Sequence, residues 1–357
     1  SAMYRTRGVD VEEGPLRYLR YGNTPDQREI GRLLAKLEGA DDGLATSSGM
    51  AAISTALLGV LSEGDHLLAQ EALYGGTRDL LTDALPAFGI EVELVDGGDP
   101  AAWEAAVRSE TRALYLETIS NPLLRIPALG AAPGFCREHG LASIVDNTFA
   151  TPWNYRAAAE GFDLVLHSAT KYLNGHSDLV AGAIAGRADL VQAAGGRLRQ
   201  LGGSLDPHAC FLLRRGMKTL ALRVERQNAT SLRLARSLED HSGVDRVHHP
   251  GLESHPDHDR AARELEGYGG MLAFEPAGGV EAARRLLDAL EVPVVAPSLG
   301  GVESLVTRPA ATSHASMPRE EREAAGITDG LIRMSVGIEP ADRLEADLTE
   351  ALVRTGR

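Results

Sequence analysis

Between residues 44 and 186, short apolar runs alternate with helix-like stretches, and no other feature narrows the fold so far. The runs lie at 66–70, 90–96, 112–118, 141–147, 162–168 and 179–186. Helix-like stretches lie between them at 50–61, 76–86, 99–109 and 128–139. Near-continuous apolar strands that alternate with helices must be covered on both faces, which argues for a parallel sheet between helical layers. A long helical region follows over 207–241. A second alternation then begins, with runs at 271–276 and 331–338, a helix around 280–290 and a closing helix from Ala341. The expected class is α/β: a large domain over 44–230 built on a mostly parallel sheet and a smaller C-terminal α/β domain over 231–357. Residues 1–43 read as an N-terminal arm, whose first 25 or so residues carry no element of their own. A length of 357 residues exceeds what one core usually holds and agrees with two domains.

Ligands of open parallel sheets collect outside the carboxyl ends of the strands. Tyr74, Glu117 to Asn121, Asp146-Asn147 and Ser168-Ala169-Thr170-Lys171 all sit just past expected strand ends. Ser168 and Thr170, two apart on leaving a strand, can turn both hydroxyls toward one anion. Lys171 follows directly, where desolvation makes an amine nucleophilic. Asp146 ends an apolar run, and a carboxylate there is costly without a cationic partner. A pyridinium nitrogen would supply one and would act as an electron sink. Ser47-Ser48-Gly49-Met50 opens a helix, whose free N–H groups suit a phosphate. Taken singly, each feature has a blander reading: Asp146 as a turn or helix cap, Lys171 as a solvated lysine, Ser48 as an ordinary N-cap. Their joint placement favours a site.

Composition narrows the partners. Acidic residues outnumber basic ones by 50 to 36, a formal charge of −14 that repels phosphate backbones and anionic lipid, so neither nucleic acid nor membrane is an expected partner. Two separated cysteines, Cys136 and Cys210, fit a reduced compartment, and the N-terminus shows no signal-peptide pattern, so a cytoplasmic location is expected. Ser1-Ala2 ahead of Met3 reads as a tag remnant. His248, His249, His255 and His258 fall in a Pro- and Gly-rich stretch that reads as a connecting surface loop, and no metal site is expected there.

The ordered motifs resemble those of the Cys/Met-metabolism enzymes that depend on pyridoxal 5'-phosphate (PLP). They are Tyr-Leu-Arg-Tyr-Gly-Asn (18–23), Ser-Ser-Gly-Met-Ala-Ala (47–52), Leu-Tyr-Gly-Gly-Thr (73–77), Glu-Thr-Ile-Ser-Asn-Pro (117–122) and Val-Asp-Asn-Thr-Phe (145–149). Further along come Ser-Ala-Thr-Lys-Tyr-Leu-Asn-Gly-His-Ser-Asp (168–178), Arg-Gly-Met-Lys-Thr-Leu (215–220), Ser-Leu-Gly-Gly-Val-Glu-Ser-Leu (298–305) and Arg-Met-Ser-Val-Gly (333–337). The resemblance implies PLP fold type I and a role for each matching residue. Lys171 resembles the Schiff-base lysine and Asp146 the partner of the pyridinium nitrogen. Ser48, Gly49, Met50, Ser168 and Thr170 resemble the phosphate cradle, which Tyr18 and Arg20 reach from a neighbouring subunit. Tyr74 resembles the tyrosine stacked on the ring and the acid for the leaving group. Asn121 resembles the amide near the ring hydroxyl, Arg333 the clamp on the substrate α-carboxylate, and Ser298 a serine that positions that clamp or Lys171.

The resemblance further implies γ-elimination of methionine, cystathionine or homocysteine, with γ-replacement (a cystathionine γ-synthase or O-acylhomoserine sulfhydrylase) as the alternative. A non-catalytic PLP-binding protein is the distant one. It also implies a homotetramer built as a dimer of dimers. The chain departs from the family pattern at several points. The stretch ahead of Tyr18 is short, Asn23-Thr24-Pro25 inverts the usual order, Pro297 stands where cystathionine-handling members often have Glu, and Gly76 where several methionine γ-lyases have Cys. Leu299 resembles γ-acting members, β-lyases more often having Trp there.

Overall fold

The computed structural model describes residues 17–355. Seven strands form the large sheet: β1 (Asp42–Thr46), β2 (His66–Gln70), β3 (Glu91–Val95), β4 (Thr111–Glu117), β5 (Ala142–Asp146), β6 (Leu164–His167) and β7 (Gly182–Gly186). Their order is β1-β7-β6-β5-β4-β2-β3. The pairs from β6 through β3 are parallel, and β7 runs against both its neighbours. The expected mostly parallel sheet is therefore present with one reversed strand, reached by the short return 168–181. A smaller sheet contains β8 (Val244–His248), β9 (Met271–Pro276), β10 (Val294–Val295), β11 (Leu305–Thr307) and β12 (Ile332–Ser335), in the order β10-β11-β12-β9-β8.

The alternation of side chains across each strand explains why the runs are apolar throughout. On β5, Ile144 packs with Ala52, Leu57 and Leu67 on one face of the large sheet, whereas Val145 packs with Leu34, Leu116 and Val165 on the other. Both faces are dry, so positions are mostly apolar, and the buried polar ones such as Ser143 and His167 are hydrogen-bonded to Asp163 and Glu38. A separate core, with Leu234, Phe274, Leu286, Ile332 and Met334, covers the small sheet.

Three expectations are corrected here. The arm expected over 1–43 gives way, within the described residues, to a helix at Pro25–Glu38 and to β1. The helix starts with a capping box between Thr24 and Gln27 and has Pro25 in its first turn. It lies so close to β1 that a Cβ added at Gly31 would stand 2.2 Å from the Gly43 carbonyl oxygen. Residues 1–16 lie outside the described residues, so the arm's expected first part does too.

The single helical region over 207–241 is two helices, Pro207–Met217 and Leu220–Glu239. The first packs Gly216 onto the backbone of Asn174, and the Gly216 carbonyl then accepts from Thr219 and Arg223 instead of continuing the helix. The stretch 248–258 is not a surface loop, because His249 and His255 are buried. Among the described residues, no helix is long and apolar enough to cross a membrane.

Candidate active site

β2, β4, β5 and β6 are consecutive neighbours that end on one side, and the segments leaving them carry Tyr74, Glu117 to Asn121, Asp146 and Ser168 to Lys171. In front of these ends lies a cavity of about 700 Å³. The small-sheet half of the chain closes it with Arg333 from β12 and with Pro297 to Leu299. Ser48, Gly49, Met50, Tyr74, Asn121, Asp146, Ser168, Thr170, Lys171, Ser298 and Arg333 all line it. Parallel strand ends thus gather residues that are 285 positions apart in sequence, from 48 to 333.

One wall is a hydrogen-bonded row. The Lys171 amine donates to Ser298 Oγ at 2.8 Å. Arg333 donates through Nη1 to Asn121 Oδ1 at 3.0 Å and through Nη2 to the Ser298 carbonyl at 3.1 Å. Ser298 therefore touches both cations, and it does so from a φ of +91°, a conformation an L residue adopts only under strain. Burial, reinforced by the Arg333 charge, brings the Lys171 amine down to about 8. Burial likewise holds Arg333 down to about 10. Arg333 is buried, has no carboxylate of a described residue within ion-pair distance, and its Nε has no partner. A buried guanidinium with spare donors is suited to an anion from outside.

Two acids line the same cavity. Asp146 accepts the Thr148 N–H at 2.9 Å, and burial raises its carboxyl above the usual range. Glu117, its register partner on β4, is buried and accepts the Tyr74 N–H at 2.8 Å. No cation of a described residue pairs with either. At the cavity's other end Ser48 caps the helix Gly49–Val60 by accepting from Ala51, which leaves the N–H groups of Gly49 and Met50 outside the helix's own bonding. The functional and the capping readings of Ser48 hold together. A Cβ at Gly49 would stand 2.8 Å from that of Ser168, so only glycine lets the helix end meet the serine. The Thr170 hydroxyl donates to the Ala181 carbonyl and accepts the Ala181 N–H, so its proton is already engaged at the chain return.

These groups fit PLP. A nucleophilic amine can meet an aldehyde, Asp146 lacks the cation that a pyridinium nitrogen would supply, and a helix start beside Ser168 suits a phosphate. Arg333, with spare donors, is not needed by these contacts. Tyr18 and Arg20 are not brought to this cavity. Both are exposed, and Arg20 donates to the Arg199 carbonyl while its guanidinium lies over the Tyr21 ring. Glu117 is a further acid of this cavity, and its signal in sequence is a carboxylate that ends the apolar stretch 113–116. His314, buried beside the cavity, bonds Ser313 Oγ and carried no signal in the sequence.

The four-histidine stretch goes to structural use. His249 takes the Gly251 N–H on Nδ1 and so presents Nε2 to Ser231 Oγ, and burial lowers it to about 3. Among the described residues no group of three or more His, Cys, Asp and Glu could hold a metal ion.

A pH expectation follows for Lys171. Because the neutral amine is the nucleophile, its acylation by acetic anhydride should rise with pH through about 8 and level off above it. A surface lysine would still be rising at pH 10. Peptide mapping of the cofactor-free protein by mass spectrometry across pH 6–11 measures this, and a midpoint at or above pH 10 would contradict a desolvated amine.

Comparison with known proteins extends these observations. Residues 2–353 match the family described as "Cys/Met metabolism PLP-dependent enzyme". The chain is similar to cystathionine γ-synthase 1, chloroplastic, of Arabidopsis thaliana, with 42% identity over 97% of this chain and 61% of that protein, so it spans less than two thirds of that relative's length. It is similar to cystathionine β-lyase MetC of Bacillus subtilis (strain 168), with 44% identity over 96% of this chain and 87% of that one. Among solved structures, the cystathionine γ-lyase of Lactobacillus plantarum complexed with L-serine superposes with a TM-score of 0.94 at 38% identity, covering 99% of this chain and 92% of the other.

Proposed function

The chain belongs to the Cys/Met-metabolism PLP-dependent enzymes, and from that premise we propose that it catalyses γ-elimination from methionine, cystathionine or homocysteine, releasing a 2-oxo acid, ammonia and a thiol. Fold type I, the PLP cofactor and chemistry on sulfur amino acids come with the family. The observation that carries the reading is the row in which Ser298 holds the Lys171 amine and the Arg333 guanidinium side by side, in the cavity that Asp146 also lines.

Bound PLP supplies an electron sink conjugated to the substrate's α-carbon. The residues do the rest. Gly49, Met50, Ser48 and Ser168 would hold the phosphate, with Thr170 lining the cradle but donating both its N–H and its hydroxyl to the Ala181 carbonyl. Asp146 would keep the ring nitrogen protonated, Asn121 would lie near the ring hydroxyl, and Tyr74 would cover the ring. Arg333 binds the α-carboxylate with paired hydrogen bonds, its plane set by Asn121 and the Ser298 carbonyl. Lys171, whose amine is partly neutral near pH 8, takes the α-proton and redelivers it. Tyr74, 43% exposed at the cavity edge, gives its phenolic proton to the departing sulfur.

The two halves act together: residues 44–230 carry Lys171 and Asp146, and residues 231–357 carry Arg333 and Ser298. Tyr18 and Arg20 are exposed and do not line their own cavity, which supports a site completed by a second copy within a homotetramer; a cytoplasmic location is part of the same proposal.

γ-Replacement remains a second reading because the plant γ-synthase is 42% identical and the same side chains would serve it. Product analysis separates the two. The γ-elimination reading expects 2-oxobutanoate from methionine, homocysteine or cystathionine. A thioether formed only when an O-acylhomoserine and cysteine are supplied together would replace it with γ-replacement. Pyruvate without 2-oxobutanoate from cystathionine would replace it with β-elimination.

A further inference from the structure

Glu117 is an acid that the reaction just described does not use, although it lines the cavity. It closes β4, the strand that pairs in parallel with β5, and its Cα partner across that pairing is Asp146. Neighbouring strands lie about 4.8 Å apart, so two carboxyls in register on one face crowd each other. Glu117 is 6% exposed, and no described residue forms an ion pair with it. Its partners are neutral. Oε1 accepts the backbone N–H of Tyr74 at 2.8 Å, and its own N–H donates to Gln70 Oε1 at 3.0 Å. The groups facing it are Asp146 on β5, the buried Tyr115 hydroxyl on its own strand and Tyr74 beyond β2, with Lys171 and Arg333 elsewhere on the cavity wall.

Two carboxyls in register on adjacent strands, Glu117 buried and Asp146 half-buried, disfavour each other's ionisation. Asp146 is the better anion: it accepts from Thr148, and His167 favours its charge. Glu117 has only the Tyr74 N–H to favour its own, and burial followed by the Asp146 charge raises its carboxyl well above the usual range. We propose that Glu117 is a positioning residue that works as a neutral carboxylic acid, anchoring the backbone of Tyr74 beside the cavity while leaving Asp146 as the single anion behind it. The inference rests on the assignment of this cavity as the PLP site, but the protonation of Glu117 itself does not.

Three measurements test it. In the cofactor-free protein at pH 7.5, infrared difference spectra against Glu117→Gln should contain a protonated-carboxyl carbonyl stretch. Its absence would overturn the proposal whatever the enzyme does. Glu117→Gln keeps the size, the acceptor and the neutrality, so PLP affinity, kcat/KM and the pH profile should stay within about 3-fold of wild type. Glu117→Ala releases Tyr74 and should lower kcat/KM by roughly 10- to 100-fold with altered visible dichroism of bound PLP, the loss expected when one buried hydrogen bond is removed.

Stability gives the same answer without activity. A carboxyl raised on folding stabilises fully below its unfolded value, and that contribution fades as pH rises toward the folded one. Glu117→Gln should therefore melt higher relative to wild type at pH 8 than at pH 5. A Gln variant as impaired as the Ala variant would show that a charged carboxylate is required, and would overturn the proposal. If wild type binds no PLP, the site assignment fails while the infrared and melting results still decide the state of Glu117.

Discussion

Lys171→Ala should give a folded protein that lacks the absorbance of lysine-bound PLP near the visible edge and that turns over sulfur amino acids roughly 10³-fold or more slowly. Two losses combine in this one amine. In the proposed reaction it would anchor the cofactor covalently and would move the α-proton, a role that alone contributes about 10²- to 10⁴-fold. The fold should survive, because the side chain is only partly buried and its one recorded hydrogen bond goes to Ser298 Oγ. Methylamine added to the variant should restore part of the turnover, since it replaces the proton acceptor without replacing the anchor. Lys171→Arg should not be rescued in this way, because its guanidinium stays charged at every accessible pH. Normal turnover by Lys171→Ala, or an unchanged spectrum, would remove Lys171 from the chemistry.

Arg333→Ala should retain PLP and lose most of its kcat/KM. Charge-assisted hydrogen bonds contribute about 1.5–3 kcal/mol each, and losing the two that would grip the substrate carboxylate corresponds to roughly 10²- to 10⁴-fold. Part of any instability will come from Asn121 Oδ1 and the Ser298 carbonyl, which lose their donor. Arg333→Lys serves as the control that keeps a charge in place but cannot form the paired bonds. A second readout separates binding from structure. The Arg333 charge helps hold the Lys171 amine down, so in the cofactor-free protein removing it should move the Lys171 acylation midpoint above about 8. Loss of PLP from Arg333→Ala, with an unmoved Lys171 midpoint, would make this arginine a structural residue.

How much of this was legible in sequence can be followed strand by strand. The segment 66–70 coincides with β2 because every one of its residues is buried, and five uninterrupted apolar or packed positions are a strong local signal. Helix Pro25–Glu38 carries a capping box and an Ile30 and Leu34 stripe, yet in sequence a stretch without a following apolar run looks like an arm. β7 was read as one more strand of the alternation. Its reversal depends on the return 168–181, whose hydrogen bonds at Thr170 and Ala181 involve residues eleven apart. The histidines at 249 and 255 were placed on the surface since Pro and Gly surround them, whereas packing against the long helix and Tyr268 buries the first.

Sequence alone determined the class of the fold, the residues past the strand ends and the cofactor chemistry they imply, because burial on both faces and nucleophile placement are written locally, in runs of five to ten residues. Only the tertiary structure decided that Ser298 joins Lys171 to Arg333, that Thr170 spends its proton on Ala181, and that Glu117 lies against Asp146. Those facts are distances between parts of the chain brought together by the sheet order and the closure of the second half, and no local pattern of residues encodes a distance across 127 positions.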